Sequence, residues 1–350
     1  MSTIGDVARR AGVSAMTVSR VINNSGYISA ETRERVERAI AELGYVPNAL
    51  ARSLRFKQTK TIALVLTDIT NPFFTTLARG VEDTASEHGF SVMFCNTDES
   101  PEEEANYLNV LVQKQVDGVL LVPAQYASES VLFLKERQVP VVVIDRRMPD
   151  MPFDTVRCDS EQGAYELVGY LLELGHRRIA VLSGPPTVST AADRVAGAAR
   201  AVASAGLPED VLTFFTGSYS VRGGYELCRQ ALALTPRPTA LFAANNFIAI
   251  GAMRAVREAG LNVPCDVSIA TFDDVPESMV IEPFFTVMSQ PAYDMGRQAT
   301  ELLLQRLLGE GPQEPQEILL PTELIVRRST ARPAPDGCGD AAGLHEVQTG

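Results

Sequence analysis

The chain is 350 residues long, 45% apolar and 21% charged, which suffices for about two to three domains with real cores. No apolar run is long enough to span a bilayer, and the first residues show no charged-then-apolar export segment, so the composition excludes a membrane protein and points to the cytoplasm. The net charge of −12 is uneven: residues 1–60 hold ten Lys/Arg against five Asp/Glu, so the other 290 carry −17 (−12 minus +5), which excludes indiscriminate wrapping of nucleic acid but permits contact through the basic end.

The chain begins with a helical signature. Ile4, Val7, Ala8 and Ala11 recur at helical spacing, and Gly12 can take the left-handed turn that ends a helix. Ser14 is placed to cap a second helix, in which Val18, Val21 and Ile22 face inward. Met16, Arg20 and Asn23 then fall on the opposite side, with Ala15, Thr17 and Ser19 on its flanks. Two short helices joined by a Gly-containing turn form either an ordinary hairpin buried in a core or a helix-turn-helix, whose second helix fits the major groove of B-DNA. The outward Arg20, Asn23 and small hydroxyls favour the latter, because such groups bond base edges and phosphates. A third helix follows, with Ser29 as cap, Glu31 in its first turn, a buried stripe of Val36, Ala39, Ile40 and Leu43, and Gly44 as its stop. So small a unit buries little area and is expected to be marginally stable.

The pattern Ile4-x-Asp6-Val7-Ala8 followed by Gly12-Val13-Ser14-x-x-Thr17-Val18-Ser19-Arg20-Val21-Ile22-Asn23 resembles the DNA-binding headpiece of the LacI/GalR (lac repressor) family, with Gly5 standing where a charged residue is usual. The resemblance implies a DNA-contacting set of Thr3, Ser14, Ala15, Met16, Thr17, Ser19, Arg20 and Asn23. Within it Thr17, Ser19 and Asn23 would position phosphates, Ala15 and Met16 would face bases, and Arg20 would read guanine.

Pro47 breaks the chain, and Asn48 can cap a two-turn helix from Ala49, too short to be stable alone in water. It reads as a linker or as a hinge that folds on DNA. The resemblance favours the hinge, because Pro47-x-Ala49-x-Ala51-x-x-Leu54 is similar to the family's hinge helix. Leu54 would then be an apolar wedge in the minor groove, with Asn48, Arg52 and Arg55 at the backbone.

From Thr61 strands and helices alternate. Thr61–Asp68, Ser91–Thr97, Gly118–Pro123 and Pro140–Asp145 read as strands buried on both faces, with helices over 72–88, 101–115 and 128–137. A second run has strands at Arg178–Gly184, Val211–Gly217, Thr239–Asn245 and Val267–Asp273, with helices near 160–174, 190–205, 220–233 and 246–259. Then come a strand at Phe285–Gln290, a helix near 292–308, and strand-like Glu317–Leu320 and Glu323–Val326. Two βα runs predict an α/β body of two doubly wound parallel sheets behind an all-α head. The resemblance implies a periplasmic-binding-protein-like body whose chain crosses between lobes three times. The expected division is a headpiece at 1–47, hinge and linker at 48–60, and a body at 61–330. Lobe 1 would comprise about 61–160 and 291–320, and lobe 2 about 161–290 and 321–330. The tail 331–350 is rich in Pro, Gly and Ala, has no heptad leucines for a tetramerising coiled coil, and is expected to be disordered.

Ligands of open parallel sheets sit outside the carboxyl ends of the strands. Past those ends lie Asn71, Phe73, Phe74 and Asp145 in the first run, and Thr190, Arg194, Tyr219, Asn245 and Asp273 in the second, with Gln290 at a crossover. Aromatic faces with Asp, Asn and Arg suit a sugar, stacking on its ring and bonding adjacent hydroxyls. The resemblance places Phe73, Phe74, Thr190, Arg194, Tyr219 and Asp273 at effector-contacting positions; without a ligand, Arg194 and Asp273 read as an interlobe salt bridge and Phe73 as core. Val188 stands where relatives place a polar contact, which argues against an anionic or purine effector.

Cys95, Cys158, Cys228, Cys265 and Cys338 have no paired spacing, and His88, His176 and His345 are isolated, so no disulfide, metal or cofactor is implied. Enzyme motifs are absent: Gly184-Pro185-Pro186 lacks the Gly-Lys-Ser/Thr of a phosphate loop, and the acidic run Asp98, Glu99 and Glu102–Glu104 reads as a loop and helix N-terminus stabilised by the dipole. The sequence thus predicts a non-enzymatic, homodimeric regulator, a repressor, that binds pseudo-palindromic operator DNA under control of a small effector, a sugar or sugar derivative. The competing reading is a sugar-binding module that does not act through DNA.

Overall fold

A computed structural model of the chain describes residues 2–46, 58–126, 129–148, 152–275, 282–311 and 314–334. Two compact units result, Met1–Thr59 and Lys60–Gly350.

The first unit holds α1 (Ile4–Ala11), α2 (Ala15–Ile22) and α3 (Ala30–Leu43). Thr3 and Asp6 form a reciprocal capping box at the start of α1, and Gly12 ends it at φ 66°. The Ser14 hydroxyl accepts from the Thr17 N–H at 3.1 Å and so caps α2. Val7, Val18 and Val36, one from each helix, meet in a small buried core with Ala8, Ala11, Val21 and Ala39. The expected hinge residues Asn48, Arg52, Leu54 and Arg55 lie outside the described residues.

The second unit is two α/β lobes. Lobe 1 is built from β1 (Thr61–Leu66), α4 (Pro72–Glu87), β2 (Ser91–Asn96), α5 (Pro101–Gln113), β3 (Gly118–Leu121), α6 (Glu129–Glu136), β4 (Val141–Ile144) and β5 (Asp154–Cys158). Lobe 2 follows with α7 (Ser160–Glu173), β6 (Ile179–Ser183), α8 (Ser189–Ser204), β7 (Leu212–Thr216), α9 (Val221–Leu232), β8 (Ala240–Ala243), α10 (Asn246–Glu258), β9 (Ser268–Phe272) and β10 (Thr286–Ser289). The chain then returns through α11 (Ala292–Leu308) and β11 (Glu317–Leu320), and crosses once more to β12 (Glu323–Ile325). The sheet orders are β11-β5-β4-β3-β1-β2 and β12-β10-β9-β8-β6-β7, which give three crossings between the lobes. Each sheet is covered by apolar side chains on both faces, as unbroken runs such as Thr61-Ile62-Ala63-Leu64-Val65-Leu66 require.

Small residues seat the returning helix. A Cβ on Gly80 of α4 would lie 2.1 Å from the Tyr293 carbonyl oxygen, and one on Gly296 of α11 would lie 2.1 Å from that of Leu77. The two helices therefore touch backbone to backbone, which ties α11 to lobe 1.

The structure corrects the expectation at three points. The second sheet is not wholly parallel, because β12 pairs antiparallel with β10 at its edge. No strand is expected from sequence at Asp154–Cys158, yet β5 lies there between β4 and β11. It carries Asp154 and Arg157, which are paired with Arg306 and Glu317 from the returning chain, so its charges are satisfied by residues distant in sequence. The tail does not loosen at residue 331: the Ala331 N–H donates to Ser268 Oγ at 3.0 Å, and its carbonyl meets His176 Nε2 at 2.9 Å. Residues 335–350 lie outside the described residues.

Candidate functional site

The outward surface of α2 is built by its caps and its inward valines. With Val18 and Val21 buried, Ala15, Met16 and Arg20 are exposed, Met16 to 62%. An exposed methionine and arginine on a short capped helix form a free apolar and cationic face. Thr17 and Ser19 flank it, half-buried, with Thr17 Oγ1 2.9 Å from Ser14 Oγ. Asn23 is placed differently from the helical-wheel expectation. It is the C-cap of α2, half-buried, and its amide donates to the Ser19 carbonyl at 2.8 Å. Thr3 is exposed at the start of α1, with its side chain held by Asp6 at 2.7 Å.

The second candidate lies between the lobes, where the carboxyl ends of both sheets converge. Asn71, Phe73, Phe74 and Asp145 of lobe 1 face Thr190, Arg194, Tyr219, Asn245 and Asp273 of lobe 2 around one cavity of about 30 Å³, room for about two waters. Gln290 stands behind it and donates to Asp273 Oδ1 at 2.6 Å.

Local structure explains each placement. Asn71 caps α4 through the Phe73 N–H at 3.0 Å, which aims Phe73 and Phe74 inward as an edge-to-face pair with centroids 5.1 Å apart. Both rings also belong to the lobe 1 core. Asn245 caps α10 through the Ile248 N–H at 2.9 Å. Gly184 follows β6 because a Cβ there would lie 2.3 Å from the Tyr219 ring, so its absence lets that ring lie over the strand end. Asp145 and Asp273 follow β4 and β9 at matching points of the two lobes, with φ of 64° and 65°. Aspartate tolerates this left-handed backbone better than most residues, and the turn swings each carboxylate off its strand into the cleft.

The charges there are almost fully buried. Arg194 is 3% exposed; it donates to the Ala244 carbonyl at 2.5 Å, lies 4.1 Å above the Phe272 ring, and approaches Asp273 to 3.9 Å. Burial pushes the Asp145 carboxyl up to about 6 against the pull of Arg146 and Arg194. Burial likewise raises Asp273, opposed by Arg194 and the Gln290 hydrogen bond. Asp145 Oδ1, Arg194 Nε and Arg146 Nε are buried with no hydrogen-bond partner. Acceptor and donors left open together suit hydroxyls, which both give and accept.

Sequence reasoning missed three lining residues, Asp68, Glu99 and Arg146. Arg146 sits beside Asp145, which the strand-end rule selects, and Asp68 is the last residue of the expected first strand, so that rule, applied one residue more widely, reaches both. Glu99 reads from sequence as part of an acidic loop and helix N-terminus, whereas it grips Arg146 through two bonds of 2.6 and 2.7 Å. The signal for it is the complementary arginine on another strand end, invisible without the sheet order. Arg146 also donates to the Pro123 carbonyl at 2.9 Å, so it ties together the ends of three lobe 1 strands.

The lobes are bridged around the cleft. Asn71 and Asn246 exchange amide hydrogen bonds of 3.1 and 3.0 Å, and the Arg147 N–H donates to Ser189 Oγ at 2.9 Å. The Arg147 guanidinium also pairs with Asp193 of α8. His176, paired with Thr239 and Ala331, is a satisfied structural histidine. Among the described residues no group of three or more His, Cys, Asp or Glu is placed to hold a metal ion, and no helix is long and apolar enough to cross a membrane.

Comparison with known proteins gives the same division. Residues 3–48 match "Bacterial regulatory proteins, lacI family", and residues 59–328 match "Periplasmic binding proteins and sugar binding domain of LacI family". The chain belongs to the LacI family. The HTH-type transcriptional regulator DegA of Bacillus subtilis (strain 168) is 38% identical over 333 residues, which are 94% of this chain and 98% of DegA. The lac repressor dimer bound to operator and the anti-inducer ONPF is 30% identical with a TM-score of 0.83, over 94% of this chain and 99% of that one. The complex of the transcriptional regulator CelR with cellobiose is 34% identical with a TM-score of 0.71, over 94% of this chain and all, 100%, of that one. As a LacI-family member the chain is a DNA-binding transcriptional regulator controlled by a small effector.

Proposed function

We propose that the chain works in the cytoplasm as a homodimeric repressor whose paired headpieces read a pseudo-palindromic operator, and whose DNA affinity changes when a sugar or sugar derivative binds between the lobes. One observation carries this reading: the same chain presents a solvent-facing, capped recognition helix and a buried interlobe cleft whose charged groups are incompletely partnered. Two-fold symmetry of the dimer pairs with the symmetry of the site.

Ala15, Met16 and Arg20 are assigned to base edges, with Arg20 bonding guanine through two parallel hydrogen bonds. Their exposure supports this. Thr3, Ser14, Thr17, Ser19 and Asn23 are assigned to phosphates and to holding the helix in register. Leu54 is assigned as the minor-groove wedge, with Asn48, Arg52 and Arg55 at the backbone, on the hinge pattern alone. In the cleft, Phe73, Phe74 and Tyr219 present rings to the sugar face. Asp145, Asp273, Asn71, Asn245, Thr190 and Arg194 bond its hydroxyls, and Gln290 orients Asp273. We assign no catalytic step to these groups. The observed cavity holds about two waters, so a sugar ring enters only when the lobes part, and its binding resets their angle.

Selection of duplexes from a random pool by the full chain, followed by anisotropy titration at several salt concentrations, tests the regulator reading. The selected duplex should bind at least about a thousandfold more tightly than random duplex. Flat preference with a shallow salt slope would leave the sugar-binding module without DNA function as the better reading.

A further inference from the structure

We infer that the cleft takes its sugar uncharged and rejects the phosphorylated form, and that Glu99 is the residue that sets this choice. The inference rests on the sugar-effector reading above and deepens it. Four carboxylates, Asp68, Glu99, Asp145 and Asp273, line the cavity against two guanidiniums, Arg146 and Arg194. Neither guanidinium is uncommitted. Arg146, 4% exposed, is held by both oxygens of Glu99 at 2.6 and 2.7 Å and by the Pro123 carbonyl. Arg194 is held by the Ala244 carbonyl and stands 3.9 Å from Asp273. Each keeps a buried Nε–H with no hydrogen-bond partner, and Asp145 keeps a buried Oδ1 with none.

That set recognises a hydroxyl, which accepts from an arginine Nε–H and donates to a carboxylate. It suits a phosphate dianion less well, because that group meets Asp145 and Asp273 as like charges in a medium that screens them poorly, in a lining with more carboxylates than guanidiniums. One local feature favours an anion. The N-terminus of α8 has Val188 as its cap and therefore no side-chain oxygen on its first N–H groups. Its effect is that of roughly half a unit charge. Two buried carboxylates outweigh it. The other helix starts at the cleft, those of α4 and α10, are already capped by Asn71 and Asn245.

Glu99 is the group whose removal changes the balance. Glu99→Gln keeps the shape and one acceptor for Arg146 but removes its hydrogen-bonded counter-charge, leaving Asp145 at 3.9 Å beside it. The site then opposes a phosphate with one negative charge fewer. Glu99→Asp, by contrast, leaves the charge count as it is.

The test is calorimetric titration of the full-length protein with D-ribose, D-glucose, D-galactose and D-fructose, and with ribose 5-phosphate, glucose 6-phosphate, galactose 1-phosphate and fructose 1-phosphate. At least one neutral sugar should bind, with its phosphate at least about a hundredfold weaker, the scale set by one poorly screened like-charge contact. Glu99→Gln should narrow that ratio tenfold or more, and Glu99→Asp, which keeps the charge, should not. A phosphate that binds the unaltered protein as tightly as its parent sugar, or tighter, overturns the inference and leaves the effector reading standing. Failure of all eight compounds overturns both. An unchanged ratio in folded Glu99→Gln removes Glu99 from the selection.

Discussion

Replacing Arg194 by leucine isolates the cation on which the cleft depends. The side chain is 3% exposed, accounts for the Ala244 carbonyl at 2.5 Å, covers Phe272 at 4.1 Å, and lies 3.9 Å from Asp273. Leucine keeps most of the apolar contact with Phe272. It leaves the Ala244 carbonyl unpaired and leaves Asp145 and Asp273 buried with one counter-charge fewer. Removing one partner of a buried pair costs about 3–5 kcal/mol, because the stranded charge stays desolvated. The cost must depend on pH in a definite direction. Asp145 is pushed up to about 6 from an ordinary value of 3.8, so the folded state binds the proton more tightly than the unfolded chain. Burial of Asp145 is therefore a penalty in full above about pH 6 that disappears as pH falls through 6 toward 3.8. Loss of Arg194 raises both carboxyls further and lets them protonate sooner. Urea unfolding of the body, followed by far-UV circular dichroism, should show the destabilisation of Arg194→Leu at about pH 7.5 at least halved at about pH 5. Adding Asp273→Asn should recover more than half of it at the higher pH. A loss below about 1 kcal/mol, or one equal at both pH values, would refute the reasoning that Arg194 serves as counter-charge to buried carboxylates.

Effector affinity should decline as pH drops below about 6, the value to which Asp145 is raised, because a ligand hydroxyl donates to the ionised form. Titrations across that range with Asp145→Asn as control check this, and a wild-type profile as flat as the variant's would remove Asp145 from the hydroxyl contacts. Arg20→Ala should cost about 1–3 kcal/mol of operator affinity and relax preference at one base pair per half-site, measured by competition with single-base operator variants. A uniform loss at every variant would reassign Arg20 to the phosphates. Gly80→Val places side-chain atoms where α4 and α11 touch, Cβ being 2.1 Å from the Tyr293 oxygen, and should destabilise the body by at least about 1–3 kcal/mol. A melting temperature equal to wild type would mean that the two helices do not need this close approach.

The elements whose periodicity is local were legible in the sequence. The apolar stripe of Ile4, Val7, Ala8 and Ala11, the Ser14 cap and the Gly12 turn determine the headpiece from neighbours within four residues. The unbroken apolar runs of β1, β3, β4, β6, β8 and β9 needed no partner to be recognised. What was missed depends on pairing across long intervals. β5 carries charges because Asp154 meets Arg306 and Arg157 meets Glu317, and Glu99 read as part of a loop because Arg146 reaches it only after β2 and β4 are set in order around β3 and β1. Asp145, Arg194 and Asp273 were found because the strand-end rule is a property of the topology. Their mutual charge balance was not, since it requires distances.

The proposed regulation requires effector binding and DNA binding to be coupled. The most direct measurement is the affinity of the effector identified by titration for the free protein and for the protein saturated with its selected operator, set beside operator affinity with and without that effector. Linkage requires the two ratios to be equal, and a common factor of about 5–150 is expected. Ratios of one in both experiments, with tight binding at each site, would show that sugar and DNA bind the same chain independently.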